Sequence, residues 1–331
     1  MSLFSNKGLS EAEIAHKRYK IKHRVTSIAG PIARFFVLFG MCFVIMYPLM
    51  YMVSTAFSPQ AEMSDPSRIW IPKKIIFSNL VDAWHAMSYP KTFWTTLYLN
   101  LGSSLIQVLA CALTGYGFAR FKFKGQGFLF GIVIMMIIVP PQILSIPVFM
   151  QFFNFPLGSL INTPFAMYLP ALFANGLRAG LFILIFRQFF KGLPKELEDA
   201  AYLDGCGPFK TFVRVMAPNA GSSFLTVFLF SIVWYWNDSY VSVIFVNNLA
   251  PMSVMVQNLS MHMAQQIYGK TDIPGTELIV WMEAGALLSI LPILIMYVFL
   301  QKYFTEGIER SGIVGSSKHY ILHHEKVGDV F

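Results

Sequence analysis

Charge is scarce in this chain. Only 13% of its 331 residues are Asp, Glu, Lys or Arg, where a soluble domain carries about 25%. With 55% hydrophobic residues and a mean hydropathy of +0.56, the chain lacks the polar surface that an ordinary water-soluble domain needs. Cysteine is scarce too. Cys42 and Cys111 fall in apolar runs and Cys206 in a polar segment, so no disulfide framework is expected. Patterns that carry chemistry are missing as well. There is no GxxxxGK[ST] phosphate loop, which excludes nucleotide binding of that kind. The histidines (His16, His23, His85, His262, His319, His323 and His324) form no HExxH or other ligand spacing, and there is no GxSxG elbow. No chemistry, cofactor or metal is expected in the chain itself. No internal repeat or second soluble domain is visible.

What the chain has in abundance is long apolar runs. A membrane span needs about 20 mostly apolar residues, and six stretches qualify: Ala33–Phe57, Phe93–Ala119, Phe128–Phe153, Phe165–Phe190, Gly221–Val246 and Trp281–Phe304. The first begins too far in, and is too long, for the core of a cleaved signal, so it is expected to remain as span 1. The net charge of +8 follows topology rather than a nucleic-acid surface. Nineteen of the 25 basic residues lie in the N-terminal tail and the start of span 1, or at and beyond the ends of spans 2, 4 and 6. The opposite side holds Arg68, Lys73, Lys74, Lys91 and Lys270, and Arg178 lies within span 4. The positive-inside rule then puts both termini and the 191–220 loop in the cytoplasm.

The expected organisation is a cytoplasmic tail over residues 1–30, a six-span domain over 31–310 and a second cytoplasmic tail over 311–331. In the first tail, Ser10–Arg24 reads either as a helix lying on lipid headgroups or as an irregular anchor. The outer loops cover 58–92 and 247–280. The first is punctuated by Pro59, Pro66, Pro72 and Pro90 and contains a helix candidate, Asn79–Met87, with Asn79 as N-cap. Trp70, Trp84 and Trp94 suit headgroup level. In the second, Pro251–Tyr268 reads as one Met-rich amphipathic helix, suited to a partner, to core packing or to the membrane surface. In span 2, Ser103, Gln107, Ala110, Thr114 and Gly117 make a small, polar stripe on one helix face, for close packing or a cavity wall. In span 3, Pro140, Pro141 and Pro147 predict a kink or break.

Ionisable residues inside spans are costly, so each should face protein or water. They are Arg178 in Asn175-Gly176-Leu177-Arg178, Asp238 in Trp234-Tyr235-Trp236-Asn237-Asp238, and Glu283 at the start of span 6. Arg178, Tyr235, Trp236, Asn237, Asp238 and Gln107 together offer stacking and amide contacts that suit a sugar. The alternative is an Arg178–Asp238 structural bridge.

The longest polar interruption is Pro194–Pro218, PKELEDAAYLDGCGPFKTFVRVMAP. It reads as a short helix, a turn at Asp204-Gly205 and a second short helix. Glu196, Glu198 and Asp199 load the first turns of the first helix, where negative charge is favoured. Pro194 and Pro208 are suited to helix starts, Ala200 and Ala201 permit close approach, and Gly205 permits the turn.

This segment resembles the EAA loop of permease subunits of binding-protein-dependent ABC importers: Glu-Ala-Ala, three residues, Gly, nine residues, Ile, one residue, Leu-Pro. Here Asp199-Ala200-Ala201, Gly205, Val215 and Ala217-Pro218 keep the spacing, with Asp, Val and Ala replacing Glu, Ile and Leu. Gly115-Tyr116-Gly117-Phe118-Ala119-Arg120, Val139-Pro140-Pro141-Gln142, Arg187-Gln188-Phe189-Phe190, Trp236-Asn237-Asp238 and Gln301-Lys302-Tyr303-Phe304 with Glu306-Gly307 are similar to the sugar-importing, maltose-type branch. The tail departs from that branch, since Ser311–Ser317 reads SGIVGSS in place of a Gly-x-x-Lys-Gly-like ending.

The resemblance implies an all-α, six-span ABC importer permease in the cytoplasmic (inner) membrane. Its partners would be a second permease subunit, two ATPase subunits that bind ATP and Mg, an extracytoplasmic solute-binding protein, a sugar and membrane lipid, with no nucleic acid. Glu198, Asp199, Ala200, Ala201, Asp204, Gly205 and Pro218 would then couple to an ATPase. The competing readings are an ion-coupled carrier or channel using Arg178, Asp238 and Glu283, which would usually show repeated halves, and a membrane enzyme, disfavoured by the missing constellations.

Overall fold

A computed structural model describes residues 11–65, 71–268 and 275–313. Trp70, Pro66, Arg68, Lys270 and the tail from 314 onward lie outside the described residues. All regular elements among the described residues are helical. The described residues open with α1 (Glu11–Ala56), a 3₁₀ turn (Gln60–Ser64) and α2 (Ser78–Ala86). The central helices follow: α3 (Tyr89–Arg120), α4 (Gln126–Ile138), α5 (Pro141–Phe153), α6 (Phe165–Leu172) and α7 (Ala179–Gly192). The polar segment forms α8 (Glu196–Leu203), α9 (Pro208–Thr211), a π-turn (Phe212–Met216) and α10 (Ala217–Asn219). Then come α11 (Gly221–Asn237), α12 (Tyr240–Phe245), a short 3₁₀ turn (Asn247–Leu249), α13 (Met252–Gln257), α14 (Leu259–Tyr268) and α15 (Gly275–Ile313).

Three helical stretches are long and apolar enough to cross a membrane: Gly30–Ala56, Tyr89–Arg120 and Leu278–Gln301. Two bent pairs raise the number to five: α4 with α5 at 104°, and Pro208–Asn219 with α11 at 81°. The break expected in span 3 is present, and the uninterrupted helices expected for spans 4 and 5 are corrected. Span 3 breaks at Val139-Pro140, where Pro140 is extended (ψ 133°) and Pro141 begins the next helix. A proline ring and its missing N–H do not permit the helical ladder to run through. Span 4 is split into α6 and α7 across 173–178, where Ala174 and Arg178 adopt left-handed φ of 52° and 58°. Span 5 stops at Asn237 and restarts at Tyr240.

Residues 11–30 of the tail and the first span are one continuous helix of 46 residues, roughly 69 Å long at 1.5 Å per residue, with no break at residue 30. Asn79 is not an N-cap. α2 starts at Ser78 after Phe77, and buried Asn79 donates instead to the carbonyls of Ala56 (3.0 Å) and Ser58 (2.8 Å). That bond pair ties the end of α1 to α2. The single helix expected over Pro251–Tyr268 is two, turning at Asn258. Met252, Met255 and Met263 are buried there with Met52, Met87, Leu259 and Trp281, while Met261 is exposed. The methionine face is core packing.

α3 is the axis of the fold and packs against α6, α7 and α11. Lipid tails are as apolar as Leu, so burying apolar side chains between helices gains little; small residues that admit close backbone approach matter more. Gly115 on α3 lies against the α7 backbone, where an added Cβ would sit 2.6 Å from Phe186 Cβ and 3.0 Å from the Arg187 amide nitrogen. Gly180 on α7 lies as close to α4, 2.8 Å from the Val133 carbonyl by the same construction. Ser103 and Gln107 of the stripe are fully buried, Ala110, Thr114 and Gly117 partly so. The stripe serves helix packing. Around it Phe182, Phe186, Phe190, Tyr116 and Met216 form one core at the end of α3 that carries α8. The methionine cluster closes the opposite end.

Candidate functional site

The Pro194–Pro218 segment folds as a helix, a turn and a second helical stretch. α8 begins at Glu196, with Lys195 before it and Pro194 one residue earlier, in the approach to the helix rather than in its first turn. Glu196, Glu198 and Asp199 occupy the first turn, where the unpaired N–H groups favour carboxylates. α8 ends in a Schellman motif: the Gly205 amide donates to the Tyr202 carbonyl (3.0 Å) and the Cys206 amide to the Ala201 carbonyl (2.9 Å). That geometry needs the left-handed φ of 76° at Gly205, which glycine adopts without Cβ strain. Pro208 starts α9.

The loop has two faces. Asp199, Ala200, Tyr202, Leu203, Asp204, Gly205, Phe209 and Pro218 are exposed, and Leu203 is 89% accessible. The exposed apolar side chains Leu203 and Phe209 thus share a surface with the Asp199 and Asp204 carboxylates. Glu198 and Ala201 are not on that face. Both are buried within the chain, unlike Asp199, Ala200, Asp204, Gly205 and Pro218 of the same expected coupling set. One helical turn carries Asp199 and Ala200 outward and swings Glu198 and Ala201 inward. The Glu198 carboxylate lies 3.5 Å from the Arg120 Nε at the end of α3.

The six residues expected to line a solute path divide as well. Gln107, Tyr235 and Trp236 are buried inside the chain. Gln107 Nε2 donates to the Leu177 carbonyl (2.5 Å), and the Tyr235 hydroxyl donates to Gln107 Oε1 (2.5 Å). Gly176 sits directly against both groups, so that any side chain there would displace them. These bonds hold the 173–178 break against α3 and α11, satisfying the carbonyl that the broken helix frees. Trp236 Nε1 donates to the Ser289 carbonyl on α15 (3.1 Å). These three are internal supports.

Arg178, Asn237 and Asp238 reach the surface of the chain or lie near it. The expected alternative of an Arg178–Asp238 bridge is not formed. The Arg178 guanidinium lies 4.2 Å from the Trp234 ring centroid, a cation–π stack. The Asp238 carboxylate accepts from the Val241 amide (3.3 Å), the Ser242 amide (2.8 Å) and the Ser242 hydroxyl (3.0 Å). Asp238 therefore caps α12 from the gap after α11. Replacing it with Ala is expected to lower stability by about 1 kcal/mol, as for other helix caps, with Asp238→Asn recovering most of it in thermal unfolding of the purified chain.

Sequence reasoning missed Trp234, the platform for Arg178, and Arg120, the partner of Glu198. Both stood inside motifs singled out above, but pairings across 56 and 78 positions of sequence are set by the helix packing. The side chains that hold the 173–178 break in place were also invisible beforehand, since a Gly-Leu-Arg run carries no proline to announce it.

With this arrangement in view, comparison with known proteins gives the class. A profile for binding-protein-dependent transport system inner membrane components matches residues 108–310, and the chain belongs to that family. The Arabinooligosaccharides transport system permease protein AraQ of Halalkalibacterium halodurans is 29% identical over 283 residues, covering 82% of this chain and 92% of AraQ. The Melibiose/raffinose/stachyose import permease protein MelC of Bacillus subtilis is 27% identical over 271 residues, covering 81% and 91%. A subunit in the crystal structure of a bacterial ABC transporter involved in import of the acidic polysaccharide alginate superposes with a TM-score of 0.68. It covers 85% of this chain and 98% of that one, at 18% identity, and so shares the fold. The chain is thus a membrane-embedded permease component, and an ion-coupled carrier or membrane enzyme is not favoured.

Proposed function

We propose that this chain forms half of the translocation pathway of an ATP-driven carbohydrate importer and receives the work of ATP hydrolysis through residues 194–218. The observation that carries the coupling assignment is the outward face of α8 and its turn: Asp199, Ala200, Leu203, Asp204 and Gly205, exposed together on a loop that the distribution of basic residues assigns to the cytoplasm. A protruding helix of this kind fits a cleft on a partner, with the two carboxylates meeting basic groups and Leu203 and Phe209 entering apolar pockets. ATP and Mg belong to the partner ATPase subunits. A second permease subunit completes the pathway, and a solute-binding protein delivers cargo to the outer face. In this reading the chain crosses the cytoplasmic membrane six times with both termini inside, α6 and α7 together making the fourth crossing.

A sugar or oligosaccharide cargo is supported by the relatives, named for arabinooligosaccharides, for melibiose, raffinose and stachyose, and for lactose. Within the pathway, Arg178 on its Trp234 platform and Asn237 are the residues proposed to meet cargo. An aromatic face, a guanidinium and an amide offer stacking and hydrogen bonds to hydroxyls. The half-helix α7 also begins at this point, as at the broken helices of many transporters. Arg178→Ala is expected to lower uptake of labelled raffinose or arabinooligosaccharide by about an order of magnitude, the size of one lost charge-assisted hydrogen bond. Complex yield should be unchanged. Uptake at the wild-type rate for every sugar tried would remove Arg178 from the pathway.

A further inference from the structure

We infer that Arg120 and Glu198 form a buried clamp that makes α8 and the end of α3 one rigid piece, so that displacement of the docked loop is passed directly to α3. The inference rests on residues 194–218 being the ATPase-docking loop. Its own ground is the geometry on the inner side of that loop.

Arg120 is the last residue of α3, and its side chain is only 6% exposed. One end of its guanidinium, Nη2, donates to the Leu193 carbonyl at 2.7 Å, where the chain leaves α7 for the loop. The Nε edge faces Glu198 Oε2 at 3.5 Å, and the Glu198 side chain is 10% exposed. A single cation thus joins the end of α3, the exit of α7 and the middle of α8. Tyr116, one turn earlier on α3, lies beside the same carboxylate. Its ring packs on Phe212 (5.1 Å) and Phe190 (5.5 Å), which lie on either side of α8 in sequence. Glu198 precedes Asp199, so inward and outward faces of α8 are consecutive residues. Force on Asp199 acts one residue from the clamp.

A buried ion pair is an uncertain source of stability, but removing one partner strands the other charge. An isolated carboxylate facing an aromatic core would pull α8 toward water. The pair therefore suits a positioning role. It keeps α8 seated on α3 in both states of the cycle, while α3 carries Gln107 and Asn100, which hold the 173–178 break and the Ile232 carbonyl of α11.

The test uses the full transporter, purified with its ATPase subunits from a background lacking native cysteines. Spin labels are placed at exposed Lys122 and Glu196, and their separation is read without nucleotide and after trapping with MgATP and orthovanadate. In the wild-type sequence the separation is expected to change by less than about 2 Å, within the range of helix shifts that leave packing intact. Glu198→Gln and Arg120→Met should each broaden the distribution and lower vanadate-sensitive ATPase activity about tenfold, a typical coupling for residues in one ion-pair network. The double variant should be no worse than the poorer single one. A wild-type separation that shifts by several ångströms on trapping, or losses that multiply in the double variant, would overturn the clamp. Failure of ATPase subunits to co-purify with the wild-type chain would instead overturn the docking assignment and the clamp with it.

Discussion

Gly205→Glu is expected to abolish ATP hydrolysis coupled to transport while leaving the membrane domain folded. The two halves of that expectation have separate causes. A Cβ at Gly205 meets open space, so nothing in the chain is displaced. The φ of 76° is strained for glutamate, at about 1–2 kcal/mol, a local cost confined to the exposed turn after α8. Docking is a different matter. Gly205 forms the tip of the turn beside Asp204, and a long anionic side chain there adds bulk and a third carboxylate to a closely fitted surface. A long side chain at the tip holds the turn off its cleft, and burying a further charge with no partner of its own costs several kcal/mol, enough to prevent seating. Asp199→Arg, which reverses the exposed charge in the first turn of α8, is expected to give the same loss. The check is solute-stimulated ATPase activity of purified complexes, with yield and chromatographic profile of the chain as the control for folding. Wild-type activity in both variants would end the coupling assignment.

Gly115→Leu is expected to prevent accumulation of folded chain altogether. The Cβ position lies 2.6 Å from Phe186 Cβ, 3.0 Å from the Arg187 nitrogen and 3.1 Å from the Ile183 carbonyl oxygen. Two of these are backbone atoms of α7 and have no rotamer to change. Relief requires α7 to move off α3, opening the contact that buries Phe182, Phe186 and Phe190. Overpacking of a core already costs about 1–3 kcal/mol where side chains alone must yield, and here the helices themselves must part. Gly117→Ala is the matched control, two residues on in the same helix with nothing within 4 Å of its Cβ. Fluorescence-detected size-exclusion of the two variants should show a monodisperse peak for Gly117→Ala and aggregate or degradation for Gly115→Leu.

The helical class, the membrane setting and the loop were legible from local signals. Apolar runs of span length, basic residues gathered on alternate sides, and a proline-bounded polar insert with Asp204-Gly205 at its turn are properties of consecutive residues. The break at Pro140-Pro141 was legible for the same reason. What was not legible depends on which faces meet. Asn79 has the composition of an N-cap, but two carbonyls at the end of α1 claim its amide. Glu198 and Asp199 are chemically alike neighbours, yet the helical turn sends one to Arg120 and the other outward. Arg178 and Asp238 look like partners because they are opposite charges within apolar stretches. The former rests on Trp234 and the latter caps α12, each satisfied by its immediate surroundings. Gln107 and Tyr235 share that lesson. Polar residues on apolar helices suggest a wet pathway, but here they hold a broken helix in register.

The most direct test of the account is the energy source of transport. Proteoliposomes containing the purified transporter, with its solute-binding protein outside, should accumulate labelled oligosaccharide only when ATP and Mg are enclosed on the side that the 194–218 loop faces. Accumulation should be insensitive to proton and sodium gradients. Uptake without ATP, driven by an ion gradient and lost on changing Arg178 or Asp238, would contradict it.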